Sequence, residues 1–280
     1  MEDNWIVENL VGAFDTWNSK LTEIWSLVSE TPQNFKGGAM WDLAQNINGA
    51  LQAVGYGLII LFFAISIFKS TANFRDFRRP EQALRYFIRF VAAKTAVTYG
   101  MDIMTTLFTI CAGIIGTVAG NLGNLTGAAV TLPEEIKTAI GEVGFLASIP
   151  LWLVTILGSV FITVLSFVMI LTVYSRFFKL YMYTALAPIP LSTFAGETTA
   201  GTGKAFIKSY LGVCLEGAII VLACVIFSAF TASGAPGIVN PDASAVTMVW
   251  SYLAETIFNM LVLVGLVKGA DKIVKEMLAL

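Results

Sequence analysis

Apolar residues in this chain come in long, nearly uninterrupted runs, and the few charges between them act as punctuation. A helix rises 1.5 Å per residue and the hydrocarbon core of a bilayer is about 30 Å thick, so roughly 20 consecutive apolar residues make one crossing. No charge lies between Asp42 and Lys69, and Gly49 to Phe68 supplies the first crossing. Asp102 alone interrupts the stretch from Lys94 to Glu134, which predicts a second crossing over about 95–119 in a helix that starts earlier, near Glu81. The charge-free run between Glu142 and Arg176 holds a third, Phe145 to Tyr174. A fourth, Ala205 to Thr231, contains only Lys208 and Glu216, and a fifth, Ala245 to Val267, only Glu255. The pattern predicts an all-α membrane protein, a polytopic bundle of five transmembrane helices over 44–280.

The segment Phe177 to Ala195 is apolar but carries Lys179 and is interrupted by Pro188 and Pro190. Proline removes a backbone donor and disfavours the helical region for the residue before it. This predicts a helix leading into a proline-broken hairpin over 177–204, tolerable at membrane depth only where protein or water meets the freed carbonyls. The alternative is a sixth, kinked crossing. Lysine and arginine decide between them, because cytoplasmic loops accumulate both. With five crossings, fourteen basic residues fall on one side and three, Lys20, Lys36 and Lys137, on the other. With six, the bias collapses to nine against eight. Five crossings therefore place the N-terminus outside and the C-terminus in the cytoplasm. Acidic residues sort the opposite way, eleven outside and five inside.

Residues 1–43 form a separate external element. Val7, Leu10, Val11, Phe14, Trp17, Leu21, Ile24, Trp25 and Val28 follow the three-four alternation of an amphipathic helix. Its tryptophans suit an interfacial helix lying on the outer leaflet, and its acidic polar face suits docking to a partner protein; both readings stay open. The loop 69–94 concentrates seven basic residues, among them Arg75, Arg78, Arg79, Arg85 and Arg89, against Asp76 and Glu81. Such a patch is first a topological anchor drawn to anionic lipid head groups, and second a surface for a cytoplasmic partner such as nucleic acid. Outside, a glycine- and asparagine-rich linker after Gly120 precedes a short helix opened by Pro133, Glu134 and Glu135, and Ser233 to Asp242 reads as a compact turn.

Composition narrows the chemistry. Hydrophobic residues make up 56% of the 280 and charged ones 13%, with a mean hydropathy of +0.76, which excludes a water-soluble surface. There is no histidine, so the bases that activate serine or cysteine and the usual zinc ligands are missing. An aspartyl dyad needs two aspartates, and the crossings offer Asp102 alone. Gly196 to Phe206 looks like a phosphate-binding loop but carries Thr198 and Ala205 where that loop needs glycine and Ser or Thr. Cys111, Cys214 and Cys224 all lie in apolar runs and read as packing residues. No enzyme, metal or small-molecule cofactor is expected. The candidate functional residues are the ionisable groups inside crossings, Asp102, Glu216 and Glu255, as polar lining or inter-helix bonds, because a carboxylate at the bilayer centre costs on the order of 2.5–3.5 kcal/mol unless it faces water or a partner. Gly116-Gly120 and Gly265-Gly269 have the spacing of close helix contacts.

An external N-terminus, five crossings, a basic first cytoplasmic loop and the motif RFFKLYMYTALAPIPLSTFAGE, Arg176 to Glu197, together resemble the TrbL-like polytopic inner-membrane subunits of type IV secretion and conjugal transfer systems, in the VirB-type group. The resemblance runs from about Trp41 to the end. Its most specific element is the Arg176-aromatic-Lys179 start with the downstream turn containing Pro188 and Pro190, which is similar to versions carried by integrative conjugative elements of Gram-positive bacteria. It implies a non-enzymatic, membrane-embedded channel or scaffold subunit of the bacterial cytoplasmic membrane. It further implies assembly with itself and with other secretion subunits, such as a transfer ATPase and a coupling protein, and transient contact with transferred DNA or protein. This chain lacks the long soluble extensions of some relatives, which limits its expected external contacts to the N-terminal helix and two small loops. The rival reading, a small-molecule or ion transporter, expects paired halves, and five crossings do not divide into two.

Overall fold

A computed structural model describes residues 5–71, 80–120, 130–143, 145–233 and 244–280. Its helices are α1 (Trp5–Ser29), α2 (Ala39–Thr71), α3 (Pro80–Thr98), α4 (Gly100–Gly120), α5 (Glu134–Gly141), α6 (Phe145–Leu186), α7 (Pro188–Ser192), α8 (Ala200–Ser233) and α9 (Ala245–Met277). Five stretches are long and apolar enough to cross a membrane: Ala39–Lys69, Gly100–Val118, Ile149–Leu186, Ala200–Phe230 and Ala245–Met277. Each overlaps one predicted crossing: four extend past it at one end or both, and the second, Gly100–Val118, lies within the predicted 95–119. Arg75, Arg78 and Arg79, the linker after Gly120 and most of the Ser233 to Asp242 turn lie outside the described residues. The chain divides into two compact units, and α4, α6, α8 and α9 contribute residues to both.

The first unit comprises Met1–Ser29, Gly116–Tyr174 and Ile219–Ala270. Here α1 uses its three-four pattern inward: Ile6, Leu10, Phe14, Trp17, Leu21, Ile24 and Val28 are all buried. Trp5 stacks on Trp152 of α6 at 5.8 Å, and Phe14 meets Tyr252 of α9 edge-on at 6.4 Å. Asn18 exchanges two hydrogen bonds of 2.9 Å with the backbone of Val130, and the Tyr174 hydroxyl donates to Glu23 at 3.0 Å. The apolar face of α1, for which the outer leaflet was one expected partner, thus packs on the chain's own α6 and α9. Pro133 stands at the N-cap of α5, one position ahead of the first helical turn where it was expected.

The second unit comprises Glu30–Ile115, Ser175–Ala218 and Asp271–Leu280, and it forms around the end of α6. No proline or glycine occurs from Phe177 to Leu186, so α6 runs on through the start of the expected hairpin and breaks only at Pro188. A proline ring displaces the carbonyl four residues before it. That carbonyl, on Thr184, accepts a hydrogen bond from the buried Asn48 side chain of α2 at 2.6 Å. The carbonyls that follow find hydroxyls: Ser192 donates to Ile189 and Thr193 to Pro190, each at 2.6 Å, and Thr199 donates to Thr193 at 2.8 Å. Ala187, Leu191 and Ala195 have no solvent exposure, with the turn packed against α2 and α3. A Cβ on Gly55 of α2 would stand 3.0 Å from the Pro188 carbonyl, so any side chain here would press on the turn. Protein therefore meets the condition that a broken helix in lipid imposes.

The helix expected to start near Glu81 and run through the second crossing is two helices. α3 begins at Pro80, and Tyr99 separates it from α4, which holds the apolar stretch Gly100–Val118, while hydrogen bonds from Tyr99 to Thr95 and from Ile103 to Tyr99 carry the chain through the break. Truncating Asn48→Ala leaves the Thr184 carbonyl in a buried site with only the 3.4 Å bond from the Ala187 N–H and should cost about 1–3 kcal/mol. Thermal unfolding of the purified protein in detergent checks this, and an unchanged transition would show that the carbonyl is satisfied in another way.

Candidate functional site

Three helices of the second unit bring ionisable side chains together. Arg176 and Lys179 lie one turn apart on α6, Glu216 faces them from α8, and Asp271 and Lys275 come from the last turns of α9. Arg176 has no solvent exposure and Glu216 is 1% exposed. Burying a charge is unfavourable unless hydrogen bonds and partners replace its water. The Arg176 guanidinium donates from Nε to the Val213 carbonyl at 3.3 Å and from Nη2 to the Cys214 carbonyl at 3.4 Å. Phe108 of α4 and Phe177 present their ring faces at 5.7 and 5.8 Å, a cation–π cradle that is stronger when desolvated. A Cβ on Gly217 would come within 2.5 Å of Nη1, so only glycine at 217 lets the guanidinium lie on the α8 backbone. Nη1 itself has no hydrogen-bond partner among the described residues.

Beside it, Lys179 bridges two carboxylates, Glu216 at 3.3 Å and Asp271 at 3.6 Å, and Asp271 also holds Lys275 at 2.9 Å. A cavity of about 190 Å³ opens next to this network, lined by Lys179, Tyr183, Ser209, Asp271 and Lys275 among others. Tyr210 anchors α8 to α4 by donating to the Met104 carbonyl at 3.0 Å. The arrangement is an electrostatic clamp that ties α6 to α8 and α9. Among the described residues, no three cysteines, aspartates or glutamates converge as a metal site requires.

A second polar contact braces the proline turn. Arg89 of α3 reaches Glu197 at 2.9 Å, and the backbone N–H of Glu197 donates to Ser66 of α2 at 3.1 Å. The Arg89 hydrogen bond holds the Glu197 carboxyl below the usual carboxylate range.

Of the carboxylates expected within crossings, only Glu216 joins the clamp. Asp102 is exposed in the first turn of α4, where the helix dipole favours a negative charge, and Glu255 is exposed on α9. Arg176, Lys179, Pro188 and Pro190, proposed as one motif, divide into the clamp and the turn. Arg89 contacts the turn, while Arg85 is exposed. A Cβ added at Gly116, Gly265 or Gly269 would meet no neighbouring atom within 4 Å, so their spacing serves no close contact among the described residues. Sequence reasoning missed Asp271 and Lys275, which follow the last apolar run, and Asn48, Phe108 and Gly217, whose residue types carry no signal without their partners.

Two outcomes follow. Gly217→Ala should cost about 1–3 kcal/mol by overpacking against Arg176, and much less in an Arg176→Ala background; additive losses in detergent melting of the two single variants and the double variant would rule out the contact. Glu197 contributes stability that is present above the ordinary carboxylate pKa and lost as pH falls through its depressed value. The melting difference between the native protein and Glu197→Gln should therefore be present at neutral pH and vanish well below about pH 4. A difference that persists unchanged in acid would remove the Arg89 pairing as its cause.

The family model described as TrbL/VirB6 plasmid conjugal transfer like protein matches residues 17–188, more than half of the chain, from within α1 to the first proline of the turn. The match begins earlier than the resemblance read from the sequence and ends sooner. Comparisons with curated proteins and with solved structures give no match.

Proposed function

Because the chain belongs to the TrbL/VirB6-like family of plasmid conjugal transfer proteins, we propose that it is a non-enzymatic channel and scaffold subunit of a type IV secretion machine. It is a multi-pass membrane subunit of a conjugal transfer system. The observation that carries the finer reading is that the matched stretch contains four of the structure's organising residues, Asn48, Arg176, Lys179 and Pro188, all devoted to holding helices together. A scaffold within a larger assembly needs this rigidity, and the histidine-free chain supports a role without chemistry of its own. The 14 to 3 distribution of basic residues supports a bacterial cytoplasmic membrane location with the N-terminus outside and the C-terminus inside. Copies of this chain, a transfer ATPase and a coupling protein are the partners that this role requires, and transferred DNA or protein its transient contact.

Deletion of the gene should abolish DNA transfer between cells and leave growth unchanged, with transfer restored by the intact chain supplied in trans. Normal transfer after deletion would refute the role. Specific uptake of a solute by the purified protein in liposomes would instead identify a transporter.

A further inference from the structure

The first two crossings of the second unit are neither wholly apolar nor wholly buried. Along α2, Ala44, Asn48, Gly55 and Ile59 face the protein, while Leu43, Ile47, Val54, Leu61 and Phe68 are exposed in a separate apolar stripe. Between these faces runs a third, made of Gln45, Gly49, Gln52 and Tyr56 at the three-four spacing of one helix side. The second crossing repeats the division. Met104, Phe108, Cys111 and Ile115 are buried, Ile110 and Ile114 are exposed, and the remaining side carries the exposed Asp102 and Thr109 and the half-buried Thr105, continued by Gly113 and Gly116 and preceded at the end of α3 by Lys94 and Thr98.

The two polar sides adjoin. The Tyr56 and Thr98 hydroxyls are 3.0 Å apart, and Gln52 donates to the Thr98 carbonyl at 3.4 Å. From Asp102 to Gly116 the polar side spans fourteen residues, roughly 21 Å at 1.5 Å per residue, or most of the hydrocarbon thickness. Thr98 and Thr109 donate to carbonyls of their own helix, Lys94 and Thr105, at 2.8 and 3.0 Å. Asp102 and Lys94 make no ion pair among the described residues. Charged and amide groups directed at lipid are unfavourable, whereas the isoleucines and valine beside them are suited to it. Each chain therefore shows a two-helix polar wall next to an apolar exposed face, the cross-section of one segment of a ring.

We propose that this seam of α2, α3 and α4 lines a water-filled path across the bilayer, closed by several copies of this chain, for a hydrophilic cargo. One chain supplies a wall only two helices wide, so closure needs repetition. The inference rests on the channel reading above and assigns its lining.

The test uses full-length protein in membranes from cells carrying the whole transfer system. Gln52→Cys, Thr98→Cys, Thr105→Cys and Thr109→Cys are compared with Ile47→Cys, Val54→Cys, Ile110→Cys and Ile114→Cys, and the parent with its three buried cysteines sets the background. The probe is a positively charged, membrane-impermeant methanethiosulfonate. Seam positions should react at least tenfold faster than apolar ones, and a bifunctional methanethiosulfonate should join Thr105→Cys copies into dimers and larger species. Seam rates no faster than the apolar controls overturn the path, whether lipid or another protein covers the face. Fast seam rates with only monomer after cross-linking overturn its closure by copies of this chain. A reactive seam in membranes whose DNA transfer survives deletion of this gene would leave the lining intact and reject the conjugation role alone.

Discussion

A guanidinium without solvent exposure, inside helices apolar enough to cross a bilayer, has to be solvated by the protein itself. Arg176 meets that requirement with two α8 carbonyls, two aromatic faces and the missing side chain of Gly217. In lipid no hydrophobic force drives helices together, so association depends on close backbone approach and on polar bonds with nowhere else to go. Arg176 combines both. Its guanidinium lies on the backbone of α8, while Lys179 one turn later reaches Glu216 and Asp271. The cluster favours one helical arrangement over its alternatives, because sliding α6 by a turn would strand the buried Arg176 and Glu216.

The same rule governs the proline turn. Pro188 removes a donor and pushes the Thr184 carbonyl aside, and the cost would be prohibitive in lipid if α2 did not place Asn48 at that point. The turn is therefore a packed element, not a flexible connection. Arg89 and Ser66 hold its exit through Glu197, so the clamp and the turn together connect α2, α3, α6, α8 and α9 within one unit. Such rigidity is consistent with a subunit whose task is to position other components.

Polarity that is not consumed by internal bonds carries the functional information. Glu216 is spent on the clamp, whereas Asp102 and Lys94 are exposed and form no ion pair among the described residues. The distinction matters because both groups look alike in the chain: isolated polar residues within apolar runs. Only their neighbours separate a structural ion pair from a surface that needs water.

The five crossings, the helical three-four spacing of α1 and the break at the prolines were legible in the chain, since hydrophobic runs, periodicity and proline chemistry act over a few residues and need no distant partner; that the apolar side of α1 packs on α6 and α9 was not. The membership of the clamp was not. Asp271 and Lys275 follow the last apolar run and resemble any polar tail, and nothing near Gly217, Phe108 or Asn48 signals their role. Which carboxylate is buried and which is exposed depends on how α4, α6, α8 and α9 pack, a relation between residues far apart in the chain, 92 positions for Lys179 and Asp271 and 106 for Met104 and Tyr210. Local sequence sets which segments become helices and where they end; the pairing of their faces, and with it the fate of each charge, is decided only when the helices meet.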